Sequence, residues 1–97
     1  MKENPELLYM QICTITTNIY EYKAKGYSIE YDMKKHRLII SYRNNTYEVK
    51  VIEKDNNYYW YLEPYNSSYF MTNYYNPSSF DMVLFAIKED VELYSSK

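Results

Sequence analysis

Between Tyr27 and Glu63 the apolar residues recur at every second position, and no other feature of this 97-residue chain narrows its fold as much. Tyr27, Ile29 and Tyr31 alternate with Ser28, Glu30 and Asp32, and Leu38, Ile40 and Tyr42 alternate with Arg37, Ile39, Ser41 and Arg43. Tyr47, Val49 and Val51 alternate with Glu48, Lys50 and Ile52, and Tyr58, Trp60 and Leu62 alternate with Tyr59, Tyr61 and Glu63. A period of two is the pleat of a strand with one buried face. Four antiparallel strands are predicted, separated by turns at Lys34-Lys35, Asn44-Asn45 and Asn56-Asn57.

Those turns set a register. Closing the first hairpin around Lys34-Lys35 pairs Tyr31 with Leu38, Ile29 with Ile40 and Tyr27 with Tyr42. An Asn44-Asn45 loop pairs Tyr42 with Tyr47, Ile40 with Val49 and Leu38 with Val51. An Asn56-Asn57 loop pairs Val51 with Leu62. Every apolar set then falls on one face; a slip of one residue would reverse it. Residues 69–75 are read as a fifth strand, entered through a turn at Pro64-Tyr65-Asn66-Ser67-Ser68.

On either side of the strands the period is helical. Leu8, Ile12, Ile15, Ile19 and Tyr22 form one stripe, with Asn4 as N-cap, Pro5 in the first turn and Gly26 as the stop. The β-branched run Thr14-Ile15-Thr16-Thr17 weakens this helix locally. Phe80, Leu84, Ile87, Val91 and Tyr94 form the stripe of a second helix, capped by Asn76 or by Ser78 with Asp81. The predicted fold is a single α+β domain over residues 1–97. It has two layers, a meander of four or five strands with an N-terminal and a C-terminal helix on one face (α-β-β-β-β-(β)-α).

Composition excludes several functional classes. Net charge is −2, from 11 basic and 13 acidic residues, which suits neither a strongly basic nucleic-acid binder nor a carboxylate-dense mimic of one. The single cysteine, Cys13, excludes an internal disulfide and points to a reducing, cytoplasmic setting. No run approaches the roughly 18 apolar residues of a membrane span, and no signal-peptide run follows Met1. With one histidine, one cysteine and one glycine, the chain lacks the ligands of a structural zinc site and the loop that cradles phosphate. His36 reads as a solvated turn residue and Cys13 as a buried thiol beside the first stripe. No catalytic residue, metal site or cofactor is predicted.

The 15 tyrosines remain. Half of the chain is Phe, Tyr, Met, Ile, Asn and Lys, the residues of AT-rich codons, so codon bias supplies part of the excess. It does not choose the face on which they lie. On the face away from the helices, the sequence register places Asp32, Arg37, Ile52 and Tyr61 in one row. It places Glu30, Ile39, Lys50 and Glu63 in the next, with Lys54 opposite Tyr59. A strand over 69–75 sets Thr72 beside Tyr61, Tyr74 beside Tyr59 and Phe70 beside Glu63. Tyr59, Tyr61, Phe70, Tyr74 and Ile52 then share one exposed patch with a polar rim of Arg43, Lys50 and Lys54. Four half-exposed rings amount to about 300–500 Å², the size of an interaction patch.

The function expected is a non-enzymatic binding module that occludes a surface on a partner protein. In build it resembles the small inhibitors made by phages and mobile elements, such as anti-CRISPR proteins, although no motif carries that resemblance. The alternatives are single-stranded nucleic-acid binding by the aromatic face, an immunity or antitoxin protein, and a self-associating structural subunit.

Overall fold

The computed structural model describes residues 2–64, 74–75 and 80–95; the side chains of Pro64, Tyr74, Tyr75, Tyr94 and Ser95 are not among the described atoms. The elements run β1 (Lys2–Glu3), α1 (Pro5–Thr17), α2 (Ile19–Ala24), β2 (Tyr27–Asp32), β3 (Arg37–Tyr42), β4 (Asn45–Lys54), β5 (Asn57–Pro64), β6 (Tyr74–Tyr75) and α3 (Phe80–Ser95). The α+β architecture expected from the sequence is present. The sheet is antiparallel in the order β2-β3-β4-β5-β6, with β1 paired to β4.

The N-terminal helix starts where the sequence places it. Asn4 Oδ1 accepts the Leu7 amide at 3.0 Å, and Pro5 occupies the first helical turn. The expected continuous helix is broken at Asn18. There the Thr17 hydroxyl donates to the Cys13 carbonyl at 2.9 Å and the Asn18 side-chain amide donates to the Thr14 carbonyl at 3.0 Å. Such back-bonding after a β-branched run ends the helix. The Asn18 carbonyl then accepts the Tyr22 amide at 3.1 Å and begins α2. Leu8, Ile15 and Tyr22, seven residues apart, are buried. Gly26 ends α2 at φ +100°, a conformation that a Cβ would strain, with the Tyr42 ring 3.4 Å from where that Cβ would sit.

The first hairpin has the expected register: Tyr31 faces Leu38, Ile29 faces Ile40 and Tyr27 faces Tyr42. Asp32 Oδ1 accepts the Lys34 and Lys35 amides at 3.0 and 3.1 Å and holds that turn. The next two hairpins differ from the sequence reading by two residues. Ile40 faces Tyr47 and Leu38 faces Val49, and Val51 faces Trp60 rather than Leu62. The loops are Arg43-Asn44 (φ 46° and 67°) and Asp55-Asn56 (φ 52° and 65°), both left-handed, as a two-residue type I′ turn requires. Asn45 and Asn57 are therefore the first strand residues. Each donates its side-chain amide to the carbonyl of the first loop residue, at 2.9 Å to Arg43 and 3.2 Å to Asp55.

A shift of two preserves the face of every side chain. Trp60 and Leu62 are fully buried with Leu8, Ile15, Val83 and Ile87 beneath the helices. Phe80 joins the layers, its ring centroid 5.2 Å from that of Trp60 and 5.6 Å from that of Tyr22. In α3, Phe80, Val83, Leu84, Ile87 and Val91 are buried. The proposed caps Asn76 and Ser78, and most of the predicted 69–75 strand, lie outside the described residues; only Tyr74–Tyr75 is seen as strand.

Candidate functional site

The site is the sheet face opposite α1, α2 and α3. Its rows follow from the observed register. Glu30, Ile39, Glu48 and Glu63 form one row. Lys50, Tyr61 and Tyr74 form the next, and Ile52 and Tyr59 the one after. Lys54 stands opposite Asn57, not Tyr59. Tyr59 and Tyr61 point away from the helices, as the alternation demands, and both are half-buried. The Lys50 ammonium lies 5.0 Å from the centroid of the Tyr61 ring, a cation–π contact that holds the ring against the strand.

Ile52 is not part of an exposed patch: it is only 2% accessible. The two-residue shift carries it past the end of β3, into a slot that β1 fills. Ile52 pairs with Glu3 on one side and with Tyr59 on the other, so it is an interior position of the sheet flanked by two longer side chains. The Asn4 amide extends this junction by donating to the Val51 carbonyl at 2.7 Å. A two-residue strand has no periodicity, which is why the sequence did not announce it.

Arg43 is also displaced from its expected place on the rim. As the first loop residue, at positive φ, it leaves the pleat. Its guanidinium lies 5.2 Å from the Tyr42 ring centroid and its Nη1 is 3.8 Å from Glu92 of α3, so it serves the helix layer. Phe70 lies outside the described residues. Tyr74 is brought beside Tyr61, not beside Tyr59. The residues the structure gathers are thus Tyr59, Tyr61 and Lys50, with Lys54 exposed at the far end of β4.

Next to them is a charge network that sequence reasoning missed. Arg37 Nη1 donates to Glu48 Oε2 at 2.9 Å, Lys35 approaches the other Glu48 oxygen at 3.7 Å, and Arg37 Nε lies 3.7 Å from Glu3 Oε1. Glu3 Oε1 and Arg37 Nε are shielded from solvent without a hydrogen bond of their own. Desolvation works against the Arg37 charge. The bond to Glu48 and the charges of Glu3, Glu48 and Glu63 outweigh it, and its affinity for the proton is raised. Arg37, Glu48, Lys50, Tyr61 and Glu63 pack around a surface dimple too tight to admit a water molecule. Alternation of charge along β3 and β4 was the available signal; the N-terminal partner was not.

His36 and Cys13 both depart from expectation. His36 is half-buried at φ 55°, with Nδ1 3.5 Å from the Tyr31 hydroxyl and its ring 6.2 Å from that of Tyr9. Cys13 is exposed, on the flank of α1 away from the Leu8–Ile15 stripe. Among the described residues no group of three or more His, Cys, Asp or Glu side chains is arranged to hold a metal ion, and no helix is long and apolar enough to cross a membrane. Compared with protein-family models, with curated proteins and with solved structures, the chain matches none.

Proposed function

We propose that this chain is a non-enzymatic protein-binding module that acts by occupying a surface on a partner, the mode of the small inhibitors carried by phages and mobile elements. One observation carries the reading. Tyr59 and Tyr61 are held by the β4–β5 register on the face that none of the three helices covers, and Lys50 braces the second ring. Aromatic rings on a rigid strand supply contact area at little entropic cost, the property of interface hot spots. The neighbouring charges favour protein over nucleic acid as the ligand. Glu48 and Glu63 face each other across β4 and β5, and Glu3 adds a third carboxylate; these engage Arg37 and Lys35, so the face offers a phosphate backbone no net positive field.

A partner protein is the ligand, and the cytoplasm, where a lone exposed thiol stays reduced, is the setting. The test is capture from the native host with the wild-type chain and with Tyr59→Ala/Tyr61→Ala, followed by titration of the recovered protein. Loss of about 2 kcal/mol or more in the folded double variant supports the docking face. Equal affinity refutes it. Steep weakening with salt, by several decades between low and physiological ionic strength, would instead assign the face to nucleic acid.

A further inference from the structure

The strand order leaves β2 at one end of the sheet, and its outer edge is the longest main-chain ladder open to another chain among the described residues. Which groups face outward follows from the turns. Across the two-residue Arg43-Asn44 loop, Tyr42 and Asn45 are the closing pair and exchange both hydrogen bonds. Alternation then directs the amides and carbonyls of Leu38, Ile40 and Tyr42 towards β4, and those of Arg37, Ile39 and Ser41 towards β2. Ser28, Glu30 and Asp32 answer Arg37, Ile39 and Ser41, so Tyr27, Ile29 and Tyr31 present their main-chain groups to the outside. Among the described residues, no turn, loop or cap hydrogen bond involves the main-chain groups of these three residues. The strand carries no proline, lysine or irregularity of pairing; of the devices that usually blunt an edge it has only the charges of Glu30 and Asp32.

We infer that β2 is the interface of a symmetric homodimer in which two copies pair antiparallel through this edge with Ile29 on the two-fold axis. Charge selects both the occupant and the register. Side chains directly opposite must share a face, which leaves two central registers. With Glu30 on the axis, two carboxylates oppose each other at the centre of the interface. With Ile29 on the axis, the two carboxylates move from direct opposition to a diagonal, about 7–8 Å apart, and Ser28 faces Glu30 of the second copy, hydroxyl to carboxylate, twice. Tyr27 faces Tyr31 of the second copy, also twice. Three opposing pairs, each exchanging two bonds, give about six main-chain hydrogen bonds.

The flanks agree with this pairing. Tyr31 already packs against the partly exposed Tyr9, ring centroids 5.3 Å apart. Tyr27 lines an open cleft of about 370 Å³ with Tyr22, Leu84, Phe85 and Lys88. The two-fold sets the aromatic pair of one copy at the end of the strand where the other copy has its cleft. A second copy is thus complementary to this edge in charge and in shape, and two-fold pairing leaves no free β2 edge to grow a filament.

Light scattering over a concentration series, with amide hydrogen exchange at each concentration, tests the inference. The expected result is a monomer–dimer equilibrium with concentration-dependent protection at Tyr27, Ile29 and Tyr31 and none gained at Ser28 or Glu30. Ser28 is exposed, so Ser28→Glu and Ser28→Lys leave the monomer folded. The first should weaken the dimer by about tenfold and the second should tighten it, since each change acts at two symmetry-related pairs. A monomer at every concentration up to about 1 mM overturns the inference. So does a dimer in which those three amides gain no protection, or one indifferent to both Ser28 variants.

Discussion

The Tyr47 hydroxyl donates to Asp90 Oδ2 at 2.6 Å, fastening the start of β4 to the last helix. Tyr47 is only 1% accessible, and its ring belongs to the core. The carboxylate at the end of that ring lets a phenol lie inside an apolar layer without an unsatisfied hydroxyl. Tyr47→Phe should cost about 1.5–3 kcal/mol in urea-induced unfolding, the value of a hydrogen bond to a charged acceptor. Asp90→Ala should cost about 1–3 kcal/mol, because the buried hydroxyl then loses its charged acceptor. Coupling near zero in the double-mutant cycle would show that the contact contributes nothing.

The same bond bears on behaviour in alkali. Burial, together with Asp90, pushes the Tyr47 ionisation well above its ordinary value. Burial also raises Tyr22, aided by Asp81, and Tyr27; Tyr31 is pushed up to about 12 by burial and by Tyr9. Unfolded tyrosines lose their proton near pH 10. Above that the unfolded state holds fewer protons than the folded one, so stability present below about pH 10 is lost as pH rises further. Absorbance at the phenolate band should show a late-titrating class that merges with alkaline unfolding. Tyr47→Phe should flatten the fall in stability above pH 10; an unchanged slope would contradict this.

The hairpins show what the sequence made legible. Alternation alone assigned Trp60 and Leu62 to the core and Tyr59 and Tyr61 to the opposite face, because a strand offers only two faces. It did not fix the loops, since Arg43-Asn44 and Asn44-Asn45 each contain an asparagine able to adopt positive φ. The structure chooses the loop that leaves Asn45 as a strand residue, bonded back to the Arg43 carbonyl, and Asn57 repeats the choice. The candidate site suffered where pairing partners mattered: Ile52 met β1 instead of Arg37, and Arg43 turned to α3.

That choice is testable. Asn44→Gly and Asn56→Gly, at left-handed loop positions, should stabilise by a few tenths to about 1 kcal/mol. Asn45→Gly and Asn57→Gly should destabilise by about 0.5–1 kcal/mol, since both are strand residues that lose a capping amide. Thermal midpoints that ranked the four variants the other way would restore the Asn44-Asn45 and Asn56-Asn57 loops.

Arg37 is the cation that lets Glu3, Glu48 and Glu63 share one face. Arg37→Ala leaves the shielded oxygen of Glu3 without its cation and Glu48 with Lys35 alone, and should cost about 1–3 kcal/mol. Glu63→Gln in that background should restore part of the loss by relieving the Glu48–Glu63 opposition. Equal stability of the single and double variants in chemical denaturation would show that the network is solvated and contributes little.

The most direct measurement is the affinity of the captured partner for the wild-type chain and for Tyr59→Ala/Tyr61→Ala, with circular dichroism confirming that both are folded. Both rings lie outside the core cluster, so the double variant should melt within a few degrees of the wild type. Binding weakened by about thirtyfold or more places the docking surface on the face opposite the helices. A folded double variant that binds the partner as tightly as the wild type contradicts the account.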